Sequence, residues 1–239
     1  MKITSDNFAI YIALACAVLS TLGYFISAVV RGRGSKSGVL PGILYYICCA
    51  ATGYSGVYLM QQILSQRRYD IAYIFYNTGP NDDLIYTVSS FWAGQEGSLL
   101  LWAFLTALVG LALVRKLSSR APVMLAFWGS FQVFLLILLV ADDPYAKLIG
   151  FQPGLVGSGL NPLLKNPWMA VHPPIVFLGY ALLAVPAALA VNGLIRGDAR
   201  QWAAAALPWA LAGWSVLGAG IALGMVWAYE VLGWGGYWG

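Results

Sequence analysis

Position 172 holds the only histidine of the chain, within "NPLLKNPWMAVHPPIVFLGY" at 161–180. A neutral imidazole is a common protein ligand of haem iron, and it is also an ordinary polar residue at membrane surfaces. Spacing alone leaves both readings open. The chain closes on "VLGWGGYWG", 231–239, where Trp234, Tyr237 and Trp238 offer broad ring faces with polar handles. Gly235 and Gly236 between them let the backbone bend and approach a partner closely. Such a stretch suits a flat apolar ligand, haem included, or an interfacial belt. Trp227 stands seven residues before Trp234 and shares its face if helix persists up to the glycines at 233, 235 and 236. A carboxylate, Glu96, sits in "FWAGQEGSLLLW" (91–102) beside a long apolar run. It either faces protein inside a bundle or is a boundary residue at a helix N-terminus. Gly94 and Gly97 flank it and permit close helix contact.

The elements that must position these groups are membrane helices. The chain is 60% hydrophobic and 9% charged with a mean hydropathy of +0.75, against roughly 25% charged residues in ordinary soluble domains. Apolar stretches at about 8–30, 39–63, 92–114, 123–141, 175–195 and 203–229 are each long enough to cross a bilayer, which takes roughly 20 residues. The sequence therefore predicts an all-α, polytopic integral membrane bundle of six spans, read over 1–239 as a single transmembrane unit. The first span is too long for a signal peptide and is followed by "RGRGSKS" rather than a cleavage site. Gly220 and Gly224, in the sixth span, have the spacing that lets a neighbouring helix approach. Cys16, Cys48 and Cys49 all fall inside spans without metal or redox spacing and read as small core residues.

Charge orients the bundle through the excess of Lys and Arg in cytoplasmic loops. Arg31, Arg33 and Lys36 follow the first span, Arg115, Lys116 and Arg120 the third, and Arg196 and Arg200, with Asp198, the fifth. The alternate segments balance Arg67 and Arg68 against Asp70, Asp82 and Asp83, and Lys147 and Lys165 against Asp142 and Asp143. Both termini and the two longer loops are thus expected outside. The net charge of +4 reflects this orientation, and no basic run points to nucleic acid. The second outer segment, 142–174, has prolines at 144, 153, 162, 167, 173 and 174, which deny it a long regular helix. The two prolines after His172 are expected to hold its backbone extended at the start of the fifth span.

"NPLLKNPWMAVHPPIVFLGY", "FWAGQEGSLLLW" and "GWGGYWG" (233–239) together resemble the CcmF family of haem lyase subunits from bacterial cytochrome c maturation. The third segment is shared with the wider tryptophan-rich, or WWD, haem-handling superfamily. The resemblance runs from about residue 71 onward. It implies a protein of the cytoplasmic (inner) membrane whose periplasmic loops present haem b for thioether attachment to apocytochrome c. The implied partners are haem, apocytochrome c, a haem chaperone and other maturation subunits, besides the lipid bilayer. It further implies that His172 is one of two outer-face axial ligands of the haem iron. Trp234, Gly235, Gly236, Tyr237 and Trp238, with Trp227, would then form the haem platform; no catalytic residue is implied.

Two departures bound the resemblance. Family members usually continue past "WGGYWG" with Trp-Asp-Pro and further spans that carry the second outer-face histidine and those of a buried haem. The chain is therefore expected to be a front portion, truncated or naturally split, inactive alone and completed by another polypeptide. Many relatives also have His-Glu-Gly-Ser where Gln95-Glu96-Gly97-Ser98 stands here, so no histidine role is carried to that site. Two other functions remain open to the residues alone: a non-catalytic assembly subunit of the same complex, and a transporter or channel subunit. Against the latter, 123–141 and 175–195 contain no acidic or basic residue.

Overall fold

A computed structural model of the chain describes residues 3–30, 38–118, 120–197 and 199–234. Six helices in it are long and apolar enough to cross a membrane: α1 (Phe8–Val30), α2 (Val39–Ser65), α5 (Gln95–Leu117), α6 (Pro122–Ala141), α7 (Pro167–Arg196) and α8 (Ala199–Leu232). In hydrocarbon every backbone polar group needs an internal partner, and the helix supplies it within one segment. Two short helices, α3 (Ala72–Asn77) and α4 (Leu84–Ser89), and a 3₁₀ turn at Ser90–Trp92 lie between α2 and α5. Among the described residues there is no strand, only an isolated bridge between Ile71 and Lys147. The predicted all-α polytopic bundle is what the chain forms.

α1 packs on α2 and α6, and α5 joins α2, α6 and α7, while α8 packs on α7. One apolar core gathers Ile10, Leu59, Leu100 and Leu135 with Ile71, Tyr73 and Tyr145 from the connecting segments. A second surrounds Tyr24, Tyr45, Trp128 and Val185, where the Trp128 indole donates to the Tyr45 hydroxyl at 2.9 Å. Gln132 Nε2 donates to the Ala103 carbonyl at 3.1 Å and ties α6 to α5. Cys48 and Cys49 are buried, Cys16 is partly buried and all three are free thiols, as small core residues should be.

Helix boundaries follow local chemistry. Gln66 adopts a left-handed conformation (φ 49°) and its N–H closes α2 on the Gln62 and Ile63 carbonyls. Gly94 is extended before α5, so that span runs 95–117 rather than 92–114. The larger departure is at the fifth span, expected at 175–195 with His172 extended before it. α7 begins at Pro167, and His172 is helical. Pro167 occupies the first helical position, where no N–H partner is needed, and the Asn166 side chain caps the turn by accepting from Trp168 N at 2.9 Å. Pro173 removes the bond that would reach the Met169 carbonyl. Trp92 Nε1 approaches that carbonyl as donor, at 3.5 Å.

The segments 66–94 and 142–166 meet at one end of the bundle. Ala72 N donates to the Ala146 carbonyl and Leu148 N to that of Asp70, both at 2.9 Å. Ser158 N donates to the Phe75 carbonyl at 2.8 Å and Gly159 N to that of Thr78 at 3.1 Å. A Cβ on Gly79 would lie 2.8 Å from Gly159 Cα, so the two backbones touch. Four charges lock the same end: Arg68 bonds Asp70 at 2.8 Å and Asp6 at 3.0 Å, and Lys147 bonds Asp6 at 2.9 Å and Asp70 at 2.8 Å. The Tyr58 hydroxyl also donates to Asp6, at 2.7 Å.

Burial opposes ionisation of Asp6, but the bonds from Arg68, Lys147 and Tyr58 win and hold its carboxyl well below the usual range. The Arg68 guanidinium likewise lowers Asp70 from 3.8 to about 2. A depressed folded pKa stabilises the fold above the unfolded value and ceases to do so as pH falls through the folded one. Thermal melts should therefore lose stability as pH drops from near 3.8 toward about 2. Arg68→Gln should cost about 1–2 kcal/mol at neutral pH, allowing for solvent screening, and flatten this acid dependence. Superimposable wild-type and variant melts across that window would refute the network.

Candidate functional site

His172 lies in the second turn of α7 and faces α8. Glycines make the approach possible: a Cβ on Gly220 would fall 2.9 Å from Val176 N, and one on Gly179 would fall 2.7 Å from Leu217 Cα. Gly213 meets α7 in the same way, 3.0 Å from Leu183 N. The small-residue spacing expected of Gly220 and Gly224 is thus used by α7 itself. At Gly224 a Cβ would come within 3.0 Å of His172 Nδ1, so the absent side chain is the space the imidazole occupies. Trp227, one turn along α8 from Gly224, stacks with the imidazole, with ring centroids 6.1 Å apart and planes 21° from parallel.

The Trp227 indole donates to the Leu163 carbonyl at 3.1 Å, which fastens the 3₁₀ turn Pro162–Leu164 to α8. One turn further, Asn166 Nδ2 donates to Glu230 at 3.3 Å. Helix, loop and imidazole are therefore held as one unit. Both ring nitrogens of His172 are buried and neither has a hydrogen-bond partner. In either neutral tautomer one nitrogen keeps its lone pair, so the residue fits the donor chemistry of a haem iron ligand.

The other predicted residues are less gathered. α8 ends at Leu232 and Gly233 turns the chain with φ 64°, so Trp227 and Trp234 do not continue one helical face. Trp234 is 53% exposed just beyond that turn. Gly235, Gly236, Tyr237 and Trp238 lie outside the described residues. Glu96 is half-buried in the first turn of α5. Its flanking glycines admit the first connecting segment rather than a second spanning helix: a Cβ on Gly97 would collide with the Phe91 carbonyl, and one on Gly94 would lie 2.7 Å from the Tyr73 ring. Sequence reasoning missed Gly224 and the Leu163 carbonyl as parts of the histidine site. The available signal was Gly213, Gly220, Gly224 and Trp227, whose 7-4-3 spacing puts them on one helical face.

The bundle defines a polytopic membrane protein with its histidine packed between two of the helices. Residues 92–239 match the family model described as "Cytochrome C assembly protein", and the chain belongs to that family as a CcmF-like protein. It is 32% identical to the cytochrome c-type biogenesis protein ccl1 of Rhodobacter capsulatus, covering 100% of this chain and 37% of the relative. It is 39% identical over 179 residues to the cytochrome c-type biogenesis protein CcmF of Pseudomonas aeruginosa, covering 71% of this chain and 27% of the relative. A solved structure titled "Cytochrome c Heme Lyase CcmF" superposes with a TM-score of 0.82 at 29% identity, over 100% of this chain and 39% of that one. The chain thus spans well under half the length of these relatives.

The glycine contacts yield a paired prediction. Gly220→Ala and Gly179→Ala each drive a methyl into opposing backbone and should cost about 1–3 kcal/mol. Gly218, with nothing within 4 Å, should tolerate alanine or gain up to about 1 kcal/mol from helix propensity. Thermal unfolding of the purified chain separates the two classes. Equal tolerance at all three positions would mean that α7 and α8 do not touch as closely as described.

Proposed function

We infer that this chain is the front, haem-presenting portion of a cytochrome c haem lyase in the cytoplasmic membrane, with its histidine rim and connecting segments on the periplasmic side. The observation that carries the reading is an imidazole with two unpartnered nitrogens, stacked by a tryptophan, in a chain of the cytochrome c assembly family. His172 serves as one axial ligand. Trp227 fixes the imidazole from one face, and Trp234, Gly235, Gly236, Tyr237 and Trp238 form the platform for the porphyrin. The haem, as haem b, supplies the carbon atoms to which apocytochrome c thiols become attached as thioethers. A haem chaperone and other maturation subunits deliver and receive the substrates.

Orientation rests on the basic segments 31–36, 115–120 and 196–200. In a cysteine-free background, an impermeant thiol reagent added from outside should label Asn81→Cys and leave Ser35→Cys silent. The reverse pattern would invert the topology.

Haem binding is tested with the chain purified together with the maturation subunits that assemble with it. His172→Ala should weaken the Soret band, and His172→Gly should recover it with exogenous imidazole. Trp234→Ala and Trp238→Ala remove stacking worth about 0.5–1.5 kcal/mol each beyond burial. They should lower haem occupancy while leaving the band position of bound haem in place. Spectra and occupancy unchanged in the histidine variants would return His172 to an interfacial role.

A further inference from the structure

At the opposite end of the bundle, a cleft of about 340 Å³ opens between the α5–α6 turn, the last turns of α7 and the first turn of α8. That volume lies at the lower end of the range for small-molecule sites. Arg120, Arg196, Asn192, Trp202, Met124 and Leu189 are among the residues that line it. Asn192 and Arg196 are four residues apart on α7 and so share a face, with Asn192 one turn deeper toward the membrane interior.

Arg196 Nη2 donates to the carbonyl of Arg120 at 2.7 Å. This bond fixes the Arg196 guanidinium on the backbone of the α5–α6 turn, and no carboxylate is among the described residues that line the cleft with Arg120 and Arg196. A cleft lined by two cations attracts an anion. A phosphodiester suits it, because guanidinium presents a planar fork of N–H donors matched to phosphate oxygens.

The rest of the wall differs in character. Met124 and Leu189 are apolar, and Trp202 carries the amphipathic ring favoured at the headgroup level of a bilayer. Asn192 Oδ1 is buried with no hydrogen-bond partner. A carboxamide offers both a donor and an acceptor, which suits the ester and hydroxyl groups one turn deeper than a phosphate. Along α7 the succession from the helix end inward is Arg196, Asn192 and Leu189, a cation, an amide and an apolar residue, and it is the order of groups in a glycerophospholipid.

We propose that this cleft binds the phosphodiester headgroup of an anionic glycerophospholipid from the leaflet at that end, with the start of an acyl chain along Leu189. The site is independent of the haem reading. It would anchor the α7–α8 pair at the end remote from His172.

The test is native mass spectrometry of the full chain released from detergent micelles doped with equal phosphatidylglycerol and phosphatidylcholine. Wild type should retain phosphatidylglycerol preferentially. Arg120→Gln leaves its backbone carbonyl, and hence the Arg196 anchor, in place; it and Arg196→Gln should each lower that preference about fivefold, and the double variant about thirtyfold. Arg200→Gln, a cation of the same end that does not line the cleft, should leave it unchanged. An added arm with inorganic phosphate separates the sources: competition that abolishes lipid retention at equal concentration, or a preference insensitive to both cleft arginines, overturns the proposal.

Discussion

The contact between α7 and α8 is the constraint on which the rest of the histidine site depends. α8 packs chiefly on α7, and the two backbones approach through Gly179, Gly213 and Gly220. Without a hydrophobic drive between helices in lipid, such close van der Waals packing is what holds a pair together. The imidazole of His172 is buried because α8 passes over it at a glycine, and Trp227 meets it because that residue lies one turn beyond Gly224. A side chain larger than hydrogen at 224 would push on the ring whose position the site requires.

The connecting segments complete this arrangement from the other direction. Trp227 is not held by stacking alone: its N–H is fixed on the Leu163 carbonyl, and that carbonyl belongs to a segment with little regular structure. What makes the segment a fixed object is its attachment to the first connecting segment, through backbone bonds from Ala72 to Gly159 and through Lys165, paired with the buried carboxylate of Asp82 at 2.6 Å. The Asp6, Arg68, Asp70 and Lys147 cluster adds the N-terminal residues to the same platform. Charged groups at the membrane surface thus set the position of an aromatic ring on α8.

Much of this was legible in the residues. Six spans follow from hydropathy because bilayer thickness dictates helix length, and five of the six are located to within a few residues at both ends. The start of α7 is not, since six prolines in 142–174 read as helix-breaking. Position decides the cost of a proline: Pro167 sits where the first N–H has no partner anyway, and the carbonyl freed by Pro173 lies within reach of the Trp92 indole. That indole is remote in sequence and could not be foreseen from local pattern. His172 and Trp227 are both named by the sequence as haem-site residues, and the structure stacks them, whereas Gly224 is legible there only as a packing glycine.

Buried polar atoms without partners cost about 1–3 kcal/mol each, and their distribution is informative. Gln132 leaves its Oε1 unpaired but gains a bond through Nε2 that ties two spans together, so the amide has a packing role. His172 gains no such bond from either nitrogen. A side chain at 224 would begin with a Cβ only 3.0 Å from Nδ1, tighter than ordinary van der Waals contact, so glycine there lets α8 pass over the ring. The fold therefore keeps the helix contact and leaves the imidazole unsatisfied. An imidazole without a competing partner keeps a lone pair on one nitrogen, and that is the observation behind the ligand role proposed for His172.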